Sequence, residues 1–404
     1  MNRFTSFAVF LYSAISLIVP SGFSVGSGLL VLGSVVLLER RRRAPLSRED
    51  RALIAVFLFY FAVSVGMNLL HHEIVKEYDL PLRFLLAVPA LLLLRAYPPA
   101  PGFFWGGLAV GGMLAGLFAG YQNLGLHIER AGGHTNPIQY GNISFIIGML
   151  SLAGIGWALR QDRSRSWIVA LTIGGVMGLL GSLFTGSRGS WMAFPFCLLA
   201  LYACYGGEIE KRHVWRIVGV VLAAAIVVFA VPRTGVRERA ELAWREAAMY
   251  MKNKNAETSI GTRMEMWRTG YLAAADSPLL GMGKAGFVAW ESAQIDAGRI
   301  DPFMRENNHV YNEWLDAVVK RGLPGLAALL LLYFVPLRYF FRRFRSGAER
   351  ARPYAVGGII LIINYICFGF SQVFMAHNTG VMTLGFTTVI LWALLRAEEE
   401  RSAR

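Results

Sequence analysis

Charged residues are scarce in this chain of 404 residues: they make up 16% of it, whereas hydrophobic residues make up 55%. Such a balance is too apolar for an ordinary soluble domain. Cysteine is scarcer still, and Cys197, Cys204 and Cys367 all fall in or at the ends of apolar stretches. We therefore expect no disulfide framework and no CxxC metal site, and we interpret the three thiols as small apolar packing groups.

Apolar stretches recur along the whole chain, and most are about as long as a bilayer core requires of a helix. They cover 5–20, 24–38, 52–70, 80–95, 103–120, 143–159, 167–184, 191–205, 217–231, 323–341, 355–374 and 378–396. The pattern predicts an all-α polytopic membrane protein with about twelve transmembrane helices. The first stretch lacks a convincing small-residue cleavage site, so we expect a retained helix there and not a signal peptide.

The net charge of +14 is explained by the predicted membrane topology, so it does not indicate a protein that binds nucleic acid. With the N-terminus in the cytoplasm, the cytoplasmic segments carry 23 Lys and Arg residues and the short loops on the other face carry 4. This bias is typical of the positive-inside rule, from which long loops are exempt. Both termini are therefore expected in the cytoplasm, and the long polar insert is expected in a bacterial periplasm.

That insert, 232–322, separates a nine-helix region (1–231) from three C-terminal helices with a short tail (323–404). It holds thirteen Lys and Arg residues against twelve Asp and Glu residues. A single polar module on one face of an otherwise apolar protein favours an enzyme that works at a membrane surface. We expect the module to be mostly helical.

Three helices are predicted inside the insert. The first, over 238–252, is amphipathic and either lies in the membrane interface or packs on the protein's own spans. The second begins with Thr262 and Glu265 as a capping box and runs to about Ala275. The third is capped by Asn307 and Asn308 and continues toward Lys320, before 322–325 turns the chain into the next span.

Two arginines on the exported face are suited to bind an anion. Arg263 is predicted at the start of the second helix, where free backbone N–H groups add to its guanidinium. Arg188 follows Ser187 between two glycines at the mouth of two spans, where backbone can approach a ligand. Charges at such a position tend to be functional or to snorkel.

His309 is the candidate general base. With an ordinary pKa of about 6.5, a histidine is largely neutral near pH 7 and can accept a hydroxyl proton. On the predicted helix, Glu306 and Glu313 would share its face and orient the ring.

Other polar residues of the exported face are weaker candidates. The segment 281–286 formally matches GxGxxG, but without a βαβ unit we interpret it as a glycine-rich turn that brings Lys284 near an anionic substrate. Arg83 either contacts a phosphate or snorkels. His127, His134 and His377 can line a site.

A metal site is not expected. Adjacent histidines such as His71 and His72 point apart on a helix, and no third ligand has the required spacing.

The chain resembles the O-antigen ligase and polymerase superfamily of bacterial membrane proteins. The motifs that carry the resemblance lie at 185–191, 259–267, 278–283, 309–314 and 321–325. An arginine between two spans, followed by an arginine and a histidine in one large loop, is fairly specific to that family.

The resemblance implies a GT-C-like glycosyltransferase of the inner membrane that needs no cofactor and no metal. It implies an undecaprenyl-diphosphate-linked O-antigen as donor and lipid A–core as acceptor. Arg188 and Arg263 would bind the donor diphosphate and His309 would be the base. Supporting residues would be Arg83, Ser187, Lys284, Tyr311, Asn312 and Glu313. One base and direct displacement predict inversion at the anomeric carbon.

Other functions stay open. A repeat-unit polymerase or a protein O-oligosaccharyltransferase would use the same donor. A transporter of lipid-linked glycan would place its polar groups near the bilayer midplane, where Asn364 and Gln372 are the notable examples. A transporter has little need of a polar module that carries Arg263 and His309.

Overall fold

The protein is described here by a computed structural model, in which residues 1–39, 45–205, 258–306, 309–346 and 348–402 and eight single positions between 206 and 257 are described. No strand occurs in this part of the chain. The helices are α1 (Asn2–Ala14), α2 (Gly22–Gly33), α3 (Val36–Glu39), α4 (Arg48–Leu70), α5 (Asp79–Ala96), α6 (Pro101–Gly120), α7 (Pro137–Ala153), α8 (Ile155–Ala158), α9 (Ser164–Phe184), α10 (Phe194–Tyr205), α11 (Ser259–Asp276), α12 (Gly283–Asp296), α13 (Glu313–Ser346), α14 (Arg352–Gly369) and α15 (Asn378–Ser402). Short 3₁₀ segments cover Val75–Tyr78, Arg188–Ala193, Pro302–Glu306 and Phe374–Ala376, and Tyr121–Gly125 is π-helical.

Seven of the described helices are long and apolar enough to cross a membrane: α4, α6, α7, α9, α13, α14 and α15. Each predicted apolar stretch coincides with one of these or with α1, α2, α5 or α10, except 217–231, of which only two single positions are described. The class of an all-helical, multi-pass membrane protein is thus confirmed. The count of twelve spans stays a prediction.

Glycines allow three of these helices to pack backbone against backbone. A Cβ at Gly112 of α6 would run into the backbone of Gly174 on α9, and one at Gly178 of α9 would meet the backbone of Gly148 on α7. Lipid offers helices no hydrophobic driving force to associate, so close backbone contact supplies the attraction. Helices α7 and α15 lie almost wholly inside the protein, whereas α4 exposes apolar side chains such as Leu58 and Phe59.

A buried polar network joins helices at the bundle end that carries the basic loops. The carboxylate of Asp50 on α4 accepts hydrogen bonds from Trp392 Nε1 (2.8 Å) and Arg95 Nε (3.3 Å). It also accepts one from the backbone N–H of Ser47 as part of a capping box. Since a buried charge is tolerated only when it is paired, this network fixes α4, α5 and α15 against one another.

The described part of the polar insert is helical and has its own small cores. Met266, Ile295, Ile300 and Met304 form one core between α11, α12 and the segment that follows. The other core comprises Ala273, Phe287, Val310 and Val319. Because Val319 belongs to α13, the second core attaches the insert to the helix that leads into the membrane.

The predicted start of α11 is wrong by one turn. The helix begins at Ser259, and Thr258 is its cap, with its side chain accepting a hydrogen bond from the N–H of Gly261. The hydroxyl of Thr262 is occupied inside the helix, where it donates to the carbonyl of Thr258. Arg263 is therefore the fifth residue of the helix and does not lie at its first turn. The predicted end, before Pro278, is confirmed.

The predicted start of the third helix is also wrong. Helix α13 begins at Glu313, and the side chain of Asn312 caps it by accepting from the N–H groups of Trp314 (3.0 Å) and Leu315 (3.1 Å). Asn312 is thus a structural cap. Gly322, with φ 62° and ψ −163°, breaks the helix where the turn was expected.

Several interpretations fall outside the described residues. They are the caps at Asn307 and Asn308, the side chain of Glu306 and most of the amphipathic stretch 238–252. The division into 1–231, 232–322 and 323–404 stays a prediction.

Candidate functional site

A cavity of about 400 Å³ lies where the first residues of α5, α12, α13 and α15 meet the last part of α4. Charged and titratable side chains line much of it, among them Lys284, His309, Glu313, Lys320, Arg321 and His377. Three of these, His309, Lys284 and His377, were candidates on sequence grounds, and Glu313 was expected to orient His309. The cavity brings these four together.

His309 enters the cavity from a short non-helical segment, 309–312, that precedes α13. Val310 is buried against Gly270 of α11, and the carbonyl of Tyr311 accepts a hydrogen bond from Trp267 Nε1 (3.3 Å). Tyr311 has φ 49°, a left-handed conformation that is uncommon for a residue with a side chain. Contacts with α11 therefore hold His309 in place before the helix begins.

Burial lowers the pKa of His309 below its ordinary value of 6.5, and the positive charge of Lys320 lowers it further. Asp316 acts in the opposite direction, with smaller effects from Lys284 and Glu77. The ring is half-buried and makes no hydrogen bond with the described residues. A neutral imidazole with a nitrogen free to accept a proton is what a general base requires.

The predicted orientation of His309 by Glu313 on one helix face is wrong, because His309 lies before α13. The carboxylate of Glu313 instead accepts a hydrogen bond from the N–H of Met375 (2.9 Å). Glu313 is 1% exposed, and its Oε1 has no partner within the described part of the chain. The residue ties α13 to the loop before α15 and leaves one oxygen at the cavity.

One wall of the cavity joins segment 71–81 to the glycine-rich turn. Gly281 and Gly283 both have positive φ, which confirms a turn in this position. Lys284 Nζ forms an ion pair with Glu77 Oε1 at 2.7 Å. Glu73 Oε1 accepts hydrogen bonds from the backbone N–H groups of Lys284 and Ala285, which satisfies the free N-terminus of α12.

His377 also lines the cavity. Burial lowers its pKa to about 4, and the charges of His309 and Lys320 act in the same direction. The imidazole is therefore neutral at physiological pH. Of the three histidines expected to line a site, His377 lines this cavity, and His127 and His134 are not among the lining residues.

Arg263 is not among the residues that line the cavity, but it is linked to His309 through Tyr311. The Cζ of Arg263 lies 6.0 Å from the centre of the Tyr311 ring, and that ring is 6.5 Å from the ring of His309. An arginine over an aromatic face is held by a cation–π attraction. From the sequence alone, the proximity of Arg263 to His309 was a hypothesis.

Arg188 begins the 3₁₀ segment Arg188–Ala193, and its side chain lies outside what the structure describes. The neighbouring Ser187 is buried, and its N–H donates to Thr185 Oγ1 (3.1 Å). Ser190 donates to Asn142, which in turn donates to Gln372 (3.2 Å). Hydrogen bonds thus connect the segment Arg188–Ala193 to the loop that carries Met375 and His377.

Arg83 has a partner of its own. It forms an ion pair with Asp79 at 2.7 Å, one turn earlier on α5. The alternative of a direct phosphate contact stays a prediction.

Sequence reasoning missed most of the acidic and basic groups of α13. Asp316 and Lys320 form an ion pair at 2.7 Å, and Arg321 follows immediately. An available signal was the spacing of four residues between Asp316 and Lys320, which places them on one helix face. No group of three or more potential metal ligands occurs in the part of the chain that the structure describes.

Comparison with known proteins gives three findings. Residues 173–330 match the family model described as O-antigen ligase. An uncharacterized protein of Haemophilus influenzae is 26% identical over 374 residues, which are 92% of this chain and 93% of that protein. The O-antigen ligase of Escherichia coli K12 is 24% identical over 263 residues, which are 62% of this chain and 52% of that protein. The matched family region contains 185–191, α11, α12 and His309.

Proposed function

We propose that the protein transfers the glycan of undecaprenyl-diphosphate-linked O-antigen to a hydroxyl of lipid A–core, because residues 173–330 match the family model described as O-antigen ligase. The reaction belongs to lipopolysaccharide biosynthesis. The enzyme is a GT-C-like membrane glycosyltransferase of the bacterial inner membrane, with its site toward the periplasm.

The observation that carries the proposal is the cavity in which His309 lies beside Lys320 and Lys284. The two lysines favour the neutral imidazole, and each is held in place by a carboxylate of the same lining, Glu77 or Asp316. A polyprenyl donor needs access from the lipid, which a cavity at the end of a helical bundle provides. The cavity thus supplies a base and cations at one place.

In the proposed reaction, an acceptor hydroxyl oxygen attacks the anomeric carbon of the donor glycan. The bond from that carbon to the diphosphate oxygen breaks, and undecaprenyl diphosphate leaves with the electron pair. The hydroxyl proton passes to a ring nitrogen of His309. Attack opposite the leaving group inverts the anomeric configuration.

The diphosphate is already a good leaving group, so the enzyme mainly positions the hydroxyl and stabilises developing negative charge. We assign that stabilisation to Arg188 and Arg263. The position of Arg263 over Tyr311 supports its role in stabilising the negative charge, because Tyr311 and His309 belong to the same segment. Guanidinium forks match phosphate oxygens, so no metal ion or other cofactor is needed.

Acceptor choice separates this proposal from its alternatives. A repeat-unit polymerase would accept a second lipid-linked glycan, and a protein O-oligosaccharyltransferase would accept a hydroxyl of a peptide. A transporter would move the lipid-linked glycan across the bilayer without breaking the glycosidic bond.

The test is a transfer assay with purified full-length protein, undecaprenyl-diphosphate glycan and one of three acceptors: lipid A–core, lipid-linked glycan or peptide. We expect transfer to lipid A–core that depends on His309. Transfer only to one of the other acceptors would replace the proposed ligase by that alternative. Flux across proteoliposomes without transfer would establish a transporter.

A further inference from the structure

Arg321 is a cation of the cavity lining that the proposed mechanism does not use. It is the last residue of α13 before the break at Gly322, and it lies against α4. Its Nη1 donates to Tyr60 Oη (3.4 Å) and Ser64 Oγ (3.3 Å). Its Cζ is 5.6 Å from the centre of the Tyr60 ring. These neutral groups orient the guanidinium without forming an ion pair with it.

Several other charged residues of the cavity lining form ion pairs, whereas the buried Glu313 bonds only to a backbone N–H among the described residues. Lys320 is paired with Asp316, Lys284 with Glu77, and Asp79 with Arg83. The remaining lysine of the lining, Lys76, is exposed at the rim. Arg321, by contrast, forms no ion pair within 4.0 Å with any described residue, although the carboxylates of Asp316 and Glu313 are near enough to attract it.

The guanidinium also has hydrogen-bonding capacity to spare. Its Nε is enclosed without a partner, and its Nη2 makes no hydrogen bond in the described part of the chain. An arginine has five N–H donors in a planar fork that matches phosphate oxygens. A cation beside a bilayer is costly unless it is paired or has a function.

We propose that Arg321 binds a phosphate group of a substrate in the same cavity as His309. This inference rests on the proposed function, which identifies the substrates. Under that function the phosphate group has two possible sources. One is the diphosphate of the lipid-linked donor, and the other is a phosphate carried by the acceptor. In either case Arg321 acts beside Lys320, the residue directly before it on α13.

The experiment compares the wild-type protein, Arg321→Gln and Arg321→Lys, each full-length and purified in lipid nanodiscs. Arg338→Gln is the matched control, because Arg338 is an arginine farther along the same helix and does not line the cavity. Two quantities are measured: the KM for donor and for acceptor, and inhibition or binding by inorganic pyrophosphate and inorganic phosphate. Thermal unfolding checks that each variant is folded.

For Arg321→Gln we expect a KM increase of about tenfold or more for one substrate, as is common when a charge-assisted hydrogen bond is lost. A higher donor KM with weaker pyrophosphate binding identifies the donor diphosphate. A higher acceptor KM with weaker phosphate binding identifies an acceptor phosphate. Arg321→Lys keeps the charge but loses the fork, so a smaller increase is expected, and this variant carries the test if Arg321→Gln does not fold.

Unchanged KM values and unchanged binding of both anions in folded Arg321 variants would overturn the proposal. If the wild-type protein transfers no glycan, the proposed function fails by itself. The anion site is then judged by pyrophosphate and phosphate binding alone: loss in the Arg321 variants supports it, and equal or absent binding in wild type and variants refutes it.

Discussion

Val310 packs so closely over Gly270 that a methyl group at position 270 would overlap its side chain. Gly270 lies in the middle of α11, and Val310 is the residue directly after His309. Val310 belongs to the buried core that joins the insert to α13, and Gly270 is buried beside it. The position of the candidate base therefore depends on the absence of a side chain at residue 270.

We predict that Gly270→Ala lowers the transfer rate, because the added methyl group displaces Val310 and with it His309. Overpacking of this kind costs about 1–3 kcal/mol in a well-packed core. The measurement is kcat in the transfer assay, together with thermal unfolding.

The double variant Gly270→Ala, Val310→Ala is the control for that prediction. The smaller side chain at residue 310 makes room for the methyl group at residue 270, so we expect the double variant to recover much of the transfer rate. A double variant as inactive as the single one would show that the packing of these two residues does not position His309.

Replacement of His309 tests the general base. We expect His309→Ala to lower the transfer rate by about 10²–10⁴-fold, the range that general base catalysis commonly contributes. His127→Asn is the control, since His127 is exposed, does not line the cavity and has a left-handed backbone that asparagine tolerates. Wild-type transfer by His309→Ala would exclude the assigned role.

The pH profile gives a second test of His309. Its pKa is lowered below 6.5 by burial and by Lys320, so the neutral form persists to a lower pH than for a free histidine. A base must be neutral to accept a proton, so the rate should be constant above pH 6.5 and fall only in more acidic solution. In Lys320→Gln one positive charge is gone, and we expect the acidic limb to move to higher pH.

Arg263 is predicted to stabilise the leaving diphosphate from its place over Tyr311. Loss of one such preorganised group typically lowers kcat by about 10²–10³-fold. We expect this loss for Arg263→Gln and a smaller one for Arg263→Lys. Arg268→Gln, which changes an exposed arginine of the same helix that pairs with Glu265, should transfer at nearly the wild-type rate. Equal rates for the Arg263 and Arg268 variants would contradict the assignment.

Much of the fold could be predicted from the sequence because a membrane helix satisfies its own backbone hydrogen bonds. Apolar stretches of bilayer length therefore specify helices without knowledge of their neighbours. The same local logic identified the break at Gly322. It failed at the start of α11, because Thr258 and Thr262 both offer a capping hydroxyl and the helix is capped by Thr258.

The candidate site was less predictable because distant segments build it. Glu77 and Lys284 are 207 positions apart, and their ion pair depends on how α4 and α5 pack beside the insert. His309 could be chosen from its residue type and motif. Its lysine neighbours, its link to Tyr311 and the adjacent Arg321 depend on where α11, α12 and α13 lie.

The buried network around Asp50 predicts a large effect on stability and none on the chemistry. Asp50→Ala would leave Arg95, which is 3% exposed, with Glu400 as its remaining carboxylate partner at 2.6 Å. Removing one member of a buried ion pair typically costs about 3–5 kcal/mol. We expect a clearly lower unfolding temperature in detergent. Asp162→Ala, at an exposed loop position, is the control, and equal unfolding temperatures would refute the prediction.

Chelation tests the source of positive charge at the site. In the proposed reaction, guanidinium groups neutralise the diphosphate, so the transfer rate should change by less than about twofold when EDTA is added. Their fixed positions provide the electrostatic stabilisation that a divalent ion provides in other phosphate sites. The assay compares protein treated with EDTA, protein treated with EDTA and then supplied with excess Mg²⁺, and untreated protein. A loss of transfer that Mg²⁺ restores would contradict the metal-free mechanism and assign part of the role of Arg188 and Arg263 to a bound cation.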